Sequence, residues 1–372
     1  MQILENEKKA WLLLADGTVF EGLSFGAAGT AVGEVVFTTG MTGYQETLTD
    51  PSYYGQIITQ TFPLVGNYGV NGEDGESSKS YARGYIVREW CEHPSNFRCE
   101  HDLDWFLKEQ GVVGLYDIDT RALTRRLREQ GVMNGMVTTE DPTNDLAANL
   151  ERLRAYSVQN AVRSVTIPAA QTYRCENPAF RVALLDYGYK RNIRRSLLAR
   201  DCEVTVLPAT AIAAEVAAGG FDGVMLSNGP GDPAEDQTLI ENLRGIAGLG
   251  LPVFGICLGH QLMALAQGAR TAKLKYGHRG ANQPVVELSS GRTFVTSQNH
   301  GYEVVAESVP AGVGRVTHLN ANDRSCEGVA YGDGRIFTVQ FHPEARGGPT
   351  DTSELFDHFI ELMRKHQGKG GM

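Results

Sequence analysis

From Phe180 onward short, largely apolar runs alternate with segments of helical spacing, without an internal repeat. "FRVALLDYG" precedes "KRNIRRSLLARD", and "EVTVLPA" precedes an alanine-rich stretch. "GVMLSNGPGDP", "LPVFGI" with "LGHQLMALAQG", and "RIFTVQF" carry the pattern to a last helix near residues 352–366. A strand apolar on both faces must be covered on both, and parallel strands need a crossover that a helix supplies. The alternation predicts an α/β fold in which residues 180–372 form a doubly wound, mostly parallel sheet. In such a sheet, sites form where strands reach their carboxyl edge.

Residues 1–150 read differently, as a β-rich α+β domain of short alternating runs and turn pairs. Asp16-Gly17 in "WLLLADGTVFEG" signals a hairpin. In "DIDTRALTRRLREQG", Asp119 or Thr120 caps a helix, Leu123 and Leu127 share a face, and Gly131 ends it. Its arginines read as a solvated or partner-facing surface. Residues 151–179, the end of a short helix and a polar, proline-containing crossing, read as the interdomain linker. The tail from Gly368 is expected to fray.

The 372-residue chain has a formal net charge of −10 and no long basic run, so nucleic acid and anionic membranes are unsuitable partners. "MQILENEKKAWLLLADG" is neither a secretory signal nor a membrane span, and a cytoplasmic protein is expected. Six scattered cysteines make no disulfide framework. "CEHPSNFRCEH" gathers Cys91, His93, Cys99 and His101, but its Cys-x-His spacing is not a finger or knuckle pattern, and no metal is expected.

One corner carries chemistry. In "VFGICLGHQL", Cys257 ends an apolar strand and precedes a helix, between Gly255 and Gly259. G-x-C-x-G is the thiol counterpart of the serine nucleophile elbow, in which side chains at the glycines would crowd the turn. A helix N-terminus favours the thiolate through free N–H groups and the helix dipole. The plain alternative is a small core thiol. Of nine histidines, His342 in "RIFTVQFHPE" stands at a strand end with Glu344 two residues on to orient it. His260, on the first helical turn, points elsewhere, and His300 in "SQNHGY" reads as a surface or partner contact. Oxyanion donors would be the N–H of Leu258 and, from "SNGPGDP", that of Gly229, with Gly231 leaving room for substrate. Asp232 through Glu235 reads as a capping box with proline at the first helical position. Phosphate-loop, dinucleotide and zinc-deaminase motifs are missing from the sequence.

At this point the residues resemble a known family. "GICLGHQ", "SNGPGDP" and "QFHPE" together look like a class I glutamine amidotransferase domain. "GEVVFTTGMTGYQETLTDPSY", "SNFR", "DIDTRALTRRLRE" and "YGHRGANQPV" extend the likeness to the small subunit of carbamoyl-phosphate synthetase over nearly the whole chain. The resemblance implies Cys257 as nucleophile, His342 as base and Glu344 as its orienting partner. It implies glutamine contacts at Ser52, Gly229, Gly231, Leu258, Gln261, Asn299, Gly301 and Tyr302; a phenylalanine is expected in some members where Tyr302 stands. The Ser52 match further implies that the first domain reaches the site.

It also implies that glutamine is hydrolysed through a γ-glutamyl thioester and that ammonia passes through a tunnel to a large synthetase subunit. That partner would hold ATP, magnesium and the bicarbonate chemistry, so no cofactor is expected in this chain. A heterodimer, or an assembly of heterodimers, serving arginine and pyrimidine synthesis would follow. An amidotransferase serving another acceptor, or an inactive regulatory subunit, are the alternatives.

Overall fold

A computed structural model describes residues 8–369 and divides the chain into two compact units, Met1–Gln159 and Asn160–Met372. The last residues of the tail expected to fray lie outside the described ones.

In the first unit the strands are β1 (Lys9–Leu14), β2 (Val19–Gly26), β3 (Thr30–Thr38), β4 (Gln56–Gln60), β5 (Leu64–Val65), β6 (Gly84–Ile86), β7 (Glu89–Trp90), β8 (Val113–Tyr116) and β9 (Met133–Thr138). Its helices are α1 (Tyr44–Thr49), α2 (Leu103–Glu109), α3 (Thr120–Gln130) and α4 (Leu146–Ala155). Seven strands close a mixed barrel in the order β1-β2-β8-β6-β4-β3-β9, which leaves no open edge to pair with another chain. The Asp16-Gly17 turn does join β1 to β2: Gly17 has φ 89°, and Leu14 N–H donates to Thr18 O at 2.8 Å. Both faces of β1 are buried, because Leu153 of α4 packs with Leu13 outside the barrel. Asp119 is the cap of α3, its carboxylate accepting from Ala122 N–H at 2.8 Å. In the Cys/His-rich loop, the His101 ring stacks on Trp105 with centroids 3.6 Å apart, and the Cys99 thiol points to the His101 carbonyl at 3.5 Å.

The second unit comprises α5 (Ala161–Val165), β10 (Gln171–Tyr173), β11 (Phe180–Asp186), α6 (Arg191–Leu198), β12 (Cys202–Pro208), α7 (Ala213–Ala218), β13 (Gly223–Leu226), α8 (Gln237–Ala247), β14 (Val253–Ile256) and α9 (Leu258–Ala266). It continues with β15 (Thr271–Glu287), β16 (Thr293–Val304), β17 (Gly314–Asn320), β18 (Cys326–Tyr331), β19 (Ile336–Val339) and α10 (Glu354–Lys369). One sheet runs β10-β12-β11-β13-β14-β19-β18-β16-β15-β17. Within it β12, β11, β13, β14 and β19 are mutually parallel. Alternate residues of β11 face opposite cores: Ala183 and Leu185 meet α7, α8 and α9, whereas Val182 and Leu184 meet α6 and α10. Helices thus cover both faces, as apolar strands require.

Two expectations need correction. "Mostly parallel" describes only the half built by β12, β11, β13, β14 and β19; β10 and the block β18-β16-β15-β17 pair antiparallel. That block escapes a search for apolar runs because its strands bury His278, Arg279, Gln298, Asn299 and His300. Residues 151–179 are also not a bare linker. They finish α4, form α5, and supply β10, whose Gln171 to Tyr173 pair with β12. Among the described residues no helix is long and apolar enough to cross a membrane.

Candidate active site

Strand β14 is buried throughout, and its last rung is Cys257 N–H donating to Val339 O of β19 at 2.9 Å. Cys257 then turns to φ 53°, ψ −104°, a left-handed conformation that a non-glycine residue holds at an expense of roughly 1–3 kcal/mol. The surroundings enforce it. A Cβ at Gly255 would lie 2.8 Å from Thr338 Cγ2, and one at Gly259 would lie 2.7 Å from both Leu226 Cβ and its carbonyl oxygen. Gly259 N–H donates to Ser227 O at 3.0 Å, clamping the start of α9 to the end of β13. The glycines of G-x-C-x-G are therefore packing requirements. The thiol is buried, 2% exposed, and reaches the Asn299 carbonyl at 3.6 Å.

Because β14 and β19 are parallel neighbours, their carboxyl ends emerge side by side. His342 follows β19 after the buried Gln340 and Phe341, and its N–H donates to Ser297 O at 2.9 Å. Its Nδ1 lies 2.8 Å from Glu344 Oε1. A carboxylate there makes Nδ1 the donor and leaves the Nε2 lone pair as the reactive face. Nε2 is buried without a hydrogen-bond partner among the described residues. Glu344 is fully buried; burial alone would raise its pKa, yet Lys190 and His342 outweigh that and hold it at about 2. Lys190 Nζ sits 2.7 Å from the same Oε1.

Lys190 is the member that sequence reasoning missed. It stands in the turn after β11, where it was absorbed into the helical run "KRNIRRSLLARD"; α6 begins at Arg191, with Lys190 at its N-cap position. A lysine 7% exposed needs a partner, but the sequence gives no sign of which one.

The competing histidines are tied elsewhere. His260 Nδ1 lies 2.8 Å from Thr338 Oγ1, and burial lowers its pKa to about 3. His300 is not a surface contact. It is 5% exposed, donates from Nδ1 to Tyr302 O at 2.8 Å, and burial first, then neighbouring cations and histidines, keep it neutral.

The "SNGPGDP" loop is held from below. Ser227 Oγ accepts from Tyr187 N–H at 2.9 Å, and Asn228 Oδ1 accepts from Lys190 N–H at 3.0 Å. A Cβ at Gly229 would fall 2.1 Å from Tyr187 O and 2.7 Å from Leu258 Cδ2, so glycine lets this loop touch the start of α9. Gly231 has φ 94° and faces Ala161. The capping box expected over residues 232–235 does not form. Asp232 closes a turn to Ala234 N–H at 2.9 Å, Glu235 accepts from Asn160 N–H at 2.8 Å, and α8 starts later with Asp236 as its cap. The Asp-Pro pair favours the turn over the helix.

Of the other glutamine-contact candidates, Gln261 donates to Tyr302 O at 2.8 Å and to Gln340 Oε1 at 3.0 Å. Asn299 O lies at the thiol, Gln261 N–H donates to Cys257 O at 3.1 Å, and Gly229 packs against Leu258, while Gly301 and Tyr302 follow Asn299 along β16. Ser52 belongs to the first unit, where it lies in the turn Pro51–Tyr53 with its N–H on Asp50 Oδ1 at 2.9 Å.

Comparison with known proteins agrees with this division. Residues 12–137 match the family model described as carbamoyl-phosphate synthase small chain, CPSase domain, and residues 183–362 match glutamine amidotransferase class-I. The chain is 51% identical to the carbamoyl phosphate synthase small chain of Symbiobacterium thermophilum, over 94% of this chain and 97% of that one. It is 51% identical to the same protein of Listeria innocua, over 97% and 99%. For that of Bacillus caldolyticus the values are 50%, 97% and 98%.

Proposed function

Because the chain belongs to the carbamoyl phosphate synthase small-chain family, we propose that it hydrolyses glutamine at Cys257 and hands the ammonia to a large synthetase chain. The Cys257 thiol gives its proton to His342 Nε2 as the sulfur attacks Cδ of the side-chain amide, and the oxyanion is held by the N–H groups of Leu258 and Gly229. Leu258 is the first residue of α9, whose N–H has no intrahelical acceptor. His342, aligned by Glu344, protonates the leaving nitrogen, ammonia departs, and a γ-glutamyl thioester remains. Water then attacks the thioester carbon while His342 takes its proton, and glutamate and the free thiol are restored. Glutamine and water give glutamate and ammonia.

Glutamine would be held by Ser52, Gly229, Gly231, Leu258, Gln261, Asn299, Gly301 and Tyr302. The large chain would carry ATP, magnesium and bicarbonate and build carbamoyl phosphate for arginine and pyrimidine synthesis in the cytoplasm, the two chains forming a heterodimer or an assembly of heterodimers. The observation that carries the reading is the pairing of a strained, glycine-flanked cysteine just past β14 with a buried His342–Glu344 couple beyond the end of the adjacent β19. The test is Cys257→Ala in the two-chain complex. Glutamine-dependent carbamoyl phosphate synthesis should vanish while free ammonia still supports it; retained glutamine use refutes the assignment.

A further inference from the structure

Behind the strand that carries Asn299, Gly301 and Tyr302 lies a second polar cluster to which the chemistry above assigns nothing. His278 and His300 face one another across the β15–β16 ladder, and register breaks on either side of residues 278–280 re-aim the side chains there. Glu327 joins them from β18. One ligand atom from each of these three residues lies within 4.8 Å of the others, and all three are buried.

The proton inventory is the informative part. His300 donates from Nδ1 to Tyr302 O at 2.8 Å, so its Nε2 is a lone pair, 3.0 Å from Gln298 Oε1. The Gln298 amide nitrogen donates to Thr296 Oγ1 at 3.2 Å and the same side chain hydrogen-bonds Glu327, which leaves its oxygen toward His300. His278 Nε2 meets Asp323 Oδ2 at 2.9 Å, a carboxylate itself pinned by Ser325 Oγ, so His278 Nδ1 is a second lone pair. Asn320 satisfies Glu327 Oε1 at 3.0 Å. Neither His278 Nδ1 nor Glu327 Oε2 has a hydrogen-bond partner among the described residues. Acceptors therefore converge, with both histidine protons spent on oxygens on the far side.

We propose that His278, His300 and Glu327, with the Gln298 side-chain oxygen, bind one divalent cation of the zinc type. Two imidazoles and a carboxylate are a donor set zinc accepts, and a tetrahedral sphere with bonds of about 2.0–2.1 Å separates its ligands by about 3.4 Å. The His300 Nε2–Gln298 Oε1 separation of 3.0 Å is close to that figure, and the ligand atoms of His278, His300 and Glu327 lie within 4.8 Å of one another. Asp323 on His278 and the Tyr302 carbonyl on His300 are the outer partners that metal-bound imidazoles carry. Glu327 and Asp323 supply negative charge for a dication, beside the buried Arg279 cation. The ion would staple β15, β16 and β18 and so fix the strand next to Cys257. No sequence spacing announces such a site, because its ligands come from three separate strands.

The test uses the purified full-length chain, prepared without a metal-affinity tag and stripped with a chelator. Equilibrium dialysis against Zn2+ and elemental analysis should find one ion per chain in the parent, in Cys257→Ser and in a Cys91→Ser/Cys99→Ser variant. His278→Asn and Glu327→Gln should lose it, and Asp323→Asn should bind about 10–100-fold more weakly. Should a ligand variant fail to fold, Co2+ added to the parent decides: visible ligand-field bands without a sulfur-to-cobalt charge-transfer band support the site. Binding below one equivalent, uptake unchanged in folded His278→Asn and Glu327→Gln, or a cobalt spectrum showing thiolate ligation overturns the proposal.

Discussion

Replacing Lys190 by methionine removes a charge and keeps the length of the chain that fills its space. Lys190 Nζ and Glu344 Oε1 are 2.7 Å apart, with side chains 9% and 0% exposed. Lys190 and His342 together, against burial, hold Glu344 at about 2 rather than 4.5, a net effect on the order of 3 kcal/mol at about 1.4 kcal/mol per pKa unit. Breaking one side of a buried ion pair removes about 3–5 kcal/mol. Lys190→Met should therefore destabilise the chain at neutral pH by about 3 kcal/mol, read as a fall in the urea midpoint at unchanged slope. In a Glu344→Gln background the same change should matter far less, with a coupling energy near the top of the roughly 0.5–3 kcal/mol range for contacting residues.

The pH dependence supplies the sign. A carboxyl whose folded pKa is depressed stabilises the fold fully above its unfolded value, here 4.5, and that contribution fades as pH falls through about 2. The gap between parent and Lys190→Met should thus be widest near pH 7 and narrow progressively as pH falls toward about 2. Without the lysine, burial pushes the Glu344 pKa upward, and a protonated Glu344 no longer orients His342 as an anion. Glutamine turnover in the complex should fall mainly in kcat, with a pH–rate profile shifted upward. A Lys190→Met variant of parental stability, an equal loss in the Glu344→Gln background, or a gap that does not change with pH would each refute the reasoning.

Three further outcomes are expected. His342→Asn should lower glutamine hydrolysis by roughly 100–10,000-fold, the range for losing a general acid–base group; His260→Asn should keep it within about tenfold, since His260 serves Thr338. Equal losses would show that the base is misassigned. Gly259→Ala drives a methyl to 2.7 Å from Leu226 and should destabilise by about 1–3 kcal/mol in urea unfolding, with thiol alkylation at Cys257 altered; parental stability would mean the corner yields more easily than its packing implies. Asp236→Ala removes the cap of α8 and should lose about 1 kcal/mol, whereas Asp232→Ala should lose less. The reverse order would favour the capping box first read from residues 232–235.

How much of this was legible beforehand follows from the distance over which each feature is encoded. The β11–α6–β12 alternation, the Asp16-Gly17 hairpin, the Asp119 cap and the glycine-flanked Cys257 are written within a turn or two of chain, where propensity, periodicity and steric limits act. The His342–Glu344 couple is equally local, two residues apart after one strand. The antiparallel half of the sheet was not readable, because its buried polar side chains are tolerable only beside the partners that other strands bring. Lys190 was not readable either: its basic, helical neighbourhood says surface, and only the contact between the segments that follow β11 and β19 buries it on Glu344. The sequence by itself determined the alternating elements and the reactive corner, since both follow from short-range sterics and solvent exclusion. The tertiary structure alone decided which distant charges and lone pairs share one dry pocket, since that depends on strand register and order, which no local spacing records.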